Sequence, residues 1–158
     1  KDYFSIFGKN LTLTSQENKL ESNKKMEYWR TKGVAIASGK AKAQKGNEFK
    51  IKAEKLVWYL NENDKKIDVK KIFGFENVSI YSNNEVAFSD KALYNKVTGI
   101  CKLFGNVKLQ KGDSFLTGDY AEVDLNKGIS KLLPAPNFDK LNENRVRALI
   151  DKKQNFEE

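Results

Sequence analysis

The chain contains no histidine, a single cysteine and two prolines. No apolar run approaches the ~20 residues that a membrane-spanning helix needs. Each shortage removes a class of function. Without histidine, Ser-His-Asp and Cys-His catalysis lack their general base. One thiol and no imidazole leave too few ligands for a zinc site. Cys101 has no intramolecular partner, so no disulfide framework holds the fold. So few prolines exclude a collagen-like or Pro-rich chain. Of the 29 basic residues only Arg30, Arg145 and Arg147 are arginines. The guanidinium fork that reads bases and clamps phosphates is therefore scarce.

What is present fits one domain over residues 1–150 with a polar tail, 151–158. Apolar residues make up 39% of the chain, enough for a modest core. The formal charge of +8 favours anionic surroundings. The lysines are nevertheless scattered among acids along the whole chain, the pattern of a solvated surface rather than a nucleic-acid stripe. The sequence begins at Lys1 and has no signal-type apolar stretch, so an exported protein whose leader has been removed is one expectation.

An internal repeat carries most of the information. Asn77-Val78 matches Asn106-Val107, Asp90-Lys91-Ala92 matches Asp119-Tyr120-Ala121, and Val97 to Ile100 matches Asn126 to Ile129, all at one offset. An earlier copy runs from Gly39 to Leu60, with Ala41 and Ala43 in place of Val107 and Leu109. A fainter fourth begins at Ile6-Phe7-Gly8 and continues through Thr31-Lys32-Gly33-Val34. Each copy has a glycine, an alternating strand, a polar turn, a second strand ending in a small residue and an acid, and a third alternating strand. The apolar period is two, and the turns are rich in Gly, Asn and Asp. The alternation changes phase at the small-acid step (Gly118-Asp119, Ser89-Asp90, Ala53-Glu54), which reads as a bulge or corner. The expected architecture is all-β: about sixteen short antiparallel strands in four layers, bent at one level and open at the ends.

The segment GNVKLQKGDSFLTGDYAEVDLNKGI, from Gly105 to Ile129, resembles the OstA-like fold and the LptA family. The likeness runs over residues 6 to 132 and includes the final strand RVRALI after the Pro134-Ala135-Pro136 link. It implies a twisted, V-shaped β-jellyroll in the periplasm, whose apolar cleft carries the acyl chains of lipopolysaccharide. It further implies end-to-end self-association and LptC-like and LptD-like partners. Neither cofactor, catalytic site nor nucleic acid belongs to that picture. LptC and the N-terminal region of LptD are close relatives with the same motif. The chain departs from the family at Ala41 and Ala43, where large aliphatics are usual, and in the inserted charged stretch Asn61 to Lys71.

The inward candidates for lipid contact are Val78, Ile80, Val107, Leu109, Leu116, Val123 and Tyr94, with Phe88 and Trp58 as larger fillers. Two readings stay open for them: a lipid groove, if the sheet is open, or plain core. Lys42, Lys50, Lys52 and Lys108 alternate with apolar neighbours and should point away from the interior. The recurring acids Asp90, Asp119 and Glu54 suit local backbone hydrogen bonds at the corner better than acid-base chemistry. Cys101 reads as a small buried filler. Phe4 and Ile6 in the first strand, and Val146, Ala148 and Ile150 in the last, are the candidate edges for strand addition. A scaffold with a filled core, binding protein or acidic polysaccharide, is the alternative function.

Overall fold

The computed structural model describes residues 2–63, 66–135 and 147–149. Twelve strands are present among them: β1 (Tyr3–Phe7), β2 (Leu11–Ser15), β3 (Asn18–Ser22), β4 (Lys25–Trp29), β5 (Val34–Lys45), β6 (Phe49–Asn63), β7 (Lys66–Ser82), β8 (Glu85–Asn95), β9 (Ile100–Lys111), β10 (Ser114–Asp124), β11 (Ile129–Leu132) and β12 (Arg147–Leu149). All pair antiparallel with their neighbours in one sheet, in the order β1-β4-β5-β6-β7-β8-β9-β10-β11. β2 continues this sheet through β3, which pairs β5, and β12 pairs β10. Among the described residues no strand joins β1 to β11, so the sheet stays open rather than closing into a barrel.

The strands are fewer and longer than the sixteen expected, because the small-acid step does not end a strand. The ladder shifts register there and then resumes. At this level the shifts fall between Ser38 and Ala41, Lys52 and Lys55, Phe75 and Val78, Phe88 and Lys91, and Gly118 and Tyr120, and one more, between Tyr59 and Leu60, lies away from it. Each is a bulge that bends the ribbon without breaking its pairing. β1 with β2, and β3 with β4, cross the same level through short links at 8–10 and 23–24. The meander thus has two wings joined along one fold line. One wing holds β1, β4, β11 and the halves of β5 to β10 on their side of the bulges; the other holds β2, β3, β12 and the remaining halves.

The chemistry of the fold line repeats. On β5, β7 and β9 two successive residues take left-handed backbone angles: Gly39-Lys40, Glu76-Asn77 and Gly105-Asn106. Asn and Gly tolerate that region best, which explains the recurring Asn-Val pair. Asn77 and Asn106 turn the chain, and Val78 and Val107 drop into the interior, each buried. The corner acid acts across strands: Asn106 Nδ2 donates to Asp90 Oδ2 at 2.8 Å. The local backbone bond expected of Asp90 is replaced by this contact to its neighbour's left-handed residue. The Ser22 hydroxyl, buried at the β3–β4 corner, lies 2.8 Å from the Ser38 carbonyl and 3.0 Å from the Lys25 carbonyl, and its one proton is shared between these two acceptors. The hairpin loops of the β1 wing also recur, with Gly33, Gly99 and Gly128 all at positive φ.

The inner faces of the two wings pack on each other. Phe49 on β6 meets Tyr94 on β8, one from each wing, with ring centroids 4.8 Å apart. Ser130 on β11 donates to Glu85 at the opposite wing tip at 2.8 Å. At the fold line Gly74 leaves room for Val78, whose methyl would lie 3.2 Å from an added Cβ.

Gly39 and Gly112 separate conformation from crowding. Both have positive φ, but a Cβ on Gly39 would come within 2.5 Å of Lys24 Cβ, whereas one on Gly112 meets nothing within 4 Å. Gly112→Ala is expected to cost about 1 kcal/mol from backbone strain alone, and Gly39→Ala about 2–4 kcal/mol once overpacking is added. Urea unfolding midpoints of the two variants test the order; equal losses would mean that the fold line is not sterically tight.

Candidate functional site

The interior is built from apolar rungs that run across the strands, because directly paired residues share a face. In the β2 wing one rung reads Leu13, Leu20, Ala43, Ile51, Ile80, Ala87, Leu109 and Leu116 in register. In the β1 wing a second runs from Phe4 and Tyr28 through Ala35, Trp58, Ile72, Tyr94, Cys101 and Val123 to Ser130. A third runs from Ile6 and Met26 through Ala37, Leu56, Gly74, Ala92, Leu103 and Ala121 to Leu132. At the usual strand spacing these rungs extend ~40 Å.

Of the residues expected to face inward, Val78, Ile80, Val107, Leu109, Val123, Tyr94 and Trp58 are buried together in this interior. Leu116 lies on its rung near the β12 edge and is 40% exposed. Phe88 does not belong to the set. It pairs with Ser79 and Lys108 on the outer face and is 36% exposed. The inward neighbour on β8 is Ala87, whose small side chain fits between Ile80 and Leu109. Ring size made Phe88 look like a filler, but parity places it outside. Lys42, Lys52 and Lys108 share the outer rung with it, and Lys50 pairs with Gln44 and Tyr81 on the same outer face.

Sequence reading missed Leu20, Ile51, Leu56, Ile72 and Leu103, all buried. Two were signalled by alternation: Ile51 lies between outward Lys50 and Lys52, and Leu103 lies two residues from Cys101. The alanines of β5 do not leave a wide gap. Trp58 stands beside Ala35 and Leu20 beside Ala43, so bulk on the adjacent strands fills the space.

The interior is filled in its middle and exposed at its rim. Two cavities between the wings are about 10 Å³ each, room for about one water. At the β1–β2 edge, by contrast, Phe4, Ile6 and Leu13 are 51%, 59% and 39% exposed although they lie on inner rungs. Among the described residues β1 pairs only with β4 and β2 only with β3, so both lie at an edge of the sheet. At the opposite edge, Ala148 lies in β12 opposite Leu116, while Val146 and Ile150 fall outside the described residues.

Burial also sets the chemistry of Cys101. Desolvation pushes its thiol up to about 12, with no compensating donor. In the unfolded chain the thiol ionises near 8.5. The unfolded state then holds fewer protons than the folded one, so stability falls as pH rises from about 8.5 toward 12. Denaturant titrations between pH 8 and 11 should show a shallower loss for Cys101→Val than for the parent. Parallel curves would place the alkaline sensitivity elsewhere.

Comparison with known proteins agrees with this geometry. A family model described as LptA/(LptD N-terminal domain) LPS transport protein matches residues 19–129. No curated protein sequence matches significantly. The crystal structure of LptH, the LptA-homologous periplasmic component of the lipopolysaccharide transport device of Pseudomonas aeruginosa, is similar in fold. Its TM-score is 0.71 at 12% identity, over 84% of this chain and 94% of that one.

Proposed function

The chain belongs to the LptA/(LptD N-terminal domain) family of LPS transport proteins, and on that premise we propose that it is a non-catalytic periplasmic carrier bridging inner and outer membrane components. Its ligand is lipopolysaccharide, with the acyl chains of the lipid A part held between the wings of a V-shaped jellyroll. The observation that carries this reading is the set of three apolar rungs crossing the sheet and ending in exposed Phe4, Ile6 and Leu13. A water-soluble carrier must shelter each acyl CH2, worth about 0.8 kcal/mol on burial. In the closed interior, entry requires the wings to part. The β1–β2 edge, where inner side chains already meet solvent, is where parting starts.

A photo-crosslinking residue at Val107 or Leu109 should trap lipopolysaccharide in cells, while one at outward Lys108 should not. Equal adducts at all three sites, or none at Val107 and Leu109, would sink the carrier reading. The second reading, a scaffold binding protein or acidic polysaccharide, is favoured by the cavities of only about 10 Å³. It gives no lipid adduct at any of these sites.

The partners on this reading are LptC-like and LptD-like proteins and further copies of the chain, joined through strand edges. Phe4, Ile6 and the β12 segment at Ala148 lie at those edges, so a charge pointing inward there blocks addition. Light scattering should give a mass that rises with concentration for the parent and stays monomeric for Ile6→Lys. A parent that stays monomeric at every concentration argues against end-to-end growth.

A further inference from the structure

One polar group stands out in the apolar interior. Among the described residues, the indole Nε1 of Trp58 is buried with no hydrogen-bond partner, and the whole side chain is only 2% exposed. A buried donor left unmade lowers stability, and native cores hold few of them. Phenylalanine would supply an aromatic ring at this position without an N–H to satisfy. An acceptor that enters the adjoining cavity would satisfy the donor.

Its surroundings fit such an arrival. Trp58 lines the small cavity between the wings together with Phe49, Ile72 and Tyr94. Lys45 from one wing and Lys96 from the other line the same cavity. Each lysine is paired with a carboxylate close to it in sequence or strand, Lys45 with Glu48 and Lys96 with Asp68, on partly exposed groups. Such surface pairs exchange readily for another anion. The Phe49–Tyr94 ring contact closes the apolar part across the wings. Cations at the mouth, walls that are apolar apart from Asn18 and Gln44, and one donor in the interior match an anionic amphiphile with a carbonyl near the head of its chain.

We propose that Trp58 Nε1 donates to the carbonyl oxygen of an acyl ester or amide that enters between Lys45 and Lys96, its hydrocarbon replacing the Phe49–Tyr94 contact. This rests on the carrier reading and makes it specific: the interior selects acyl chains over plain alkyl chains. The carbonyl is the one part of such a chain that an all-apolar interior would reject, since it would be buried unpaired. Trp58 removes that penalty and at the same time loses its own.

The test compares 1-lauroylglycerol 3-phosphate with 1-O-dodecylglycerol 3-phosphate, which has the same anionic head and chain length but no carbonyl. Affinities are measured by equilibrium dialysis below the micelle concentration. The full chain should bind the ester about three- to tenfold more tightly, the span of one hydrogen bond. Trp58→Phe should lose the preference, its ester-to-ether affinity ratio falling to about one whatever its affinity for either probe. Equal affinity of the parent for ester and ether overturns the inference without needing the variant, and so does a Trp58→Phe protein that keeps the preference. In both cases binding itself persists and the carrier reading survives. A parent that binds neither probe nor lipopolysaccharide overturns the carrier reading, and this inference with it.

Discussion

Everything in this molecule follows from the requirement that successive strands bend at one level without losing their ladder. A bulge on one strand alone would shear the register of its neighbour. The chain meets the requirement with complementary devices on alternate strands. β5, β7 and β9 carry two left-handed residues in a row, and their neighbours β6, β8 and β10 shift register at a small-acid step. A left-handed angle costs a residue with a Cβ about 1–2 kcal/mol, so glycine and asparagine fill most of these positions. Lys40 and Glu76 are the exceptions. They persist because the ladders on both sides over-determine the backbone. Asp90 ties the devices together, binding the Asn106 side chain from the adjacent strand.

The bend has a direct consequence for packing. It turns two apolar faces of one sheet toward each other, so the core lies between halves of the same strands rather than between separate layers. Volume must then be balanced strand by strand. β5 offers Ala35, Ala37, Ala41 and Ala43 to the interior, and β6 supplies Ile51, Leu56 and Trp58 beside them. Gly74 follows the same logic, leaving space that Val78 and Ile51 occupy. Large against small lets the wings approach closely, and two cavities between them, among the described residues, are about 10 Å³ each. The polar tips finish the closure, with Glu85 accepting from Ser130 and pairing with Lys111.

These rules were partly legible in the amino-acid order. The Asn-Val and small-acid motifs announce the bend because their backbone demands are local, and local demands survive any tertiary context. The all-β character follows from the period of two and the turn residues; the opening between the sheet edges does not, because strands of a closed barrel alternate in the same way. The strand count did not follow, since a register shift and a chain break look alike in one dimension; only pairing tells them apart. Phe88 was misplaced for a related reason. Around it the order Val86-Ala87-Phe88-Ser89 gives no clean alternation, and bulk favours the wrong parity. The register with Ser79 and Lys108 decides it. How far the wings close could not be read at all, because it depends on side chains distant in sequence, such as Phe49 and Tyr94, meeting across the interior.

The closed interior bears on how a carrier of this build would work. A rigid, empty trough would expose its apolar rungs to water whenever it was unloaded, at about 25 cal/mol per Å². Wings that pack on each other avoid that exposure. Loading then exchanges one apolar contact for another, side chain against side chain for side chain against acyl chain. Such an exchange has a small net free energy, because both states are dry. A small difference is what stepwise transfer requires, since a carrier that bound each chain with the full transfer free energy could not release it. The exposed Phe4, Ile6 and Leu13 fit this scheme as the place where the exchange begins, because their inner faces are already wet and parting there exposes little that is new. In such a carrier the orientation would be built into the edge of the sheet, while the direction of travel would have to come from whatever supplied the free energy at its ends.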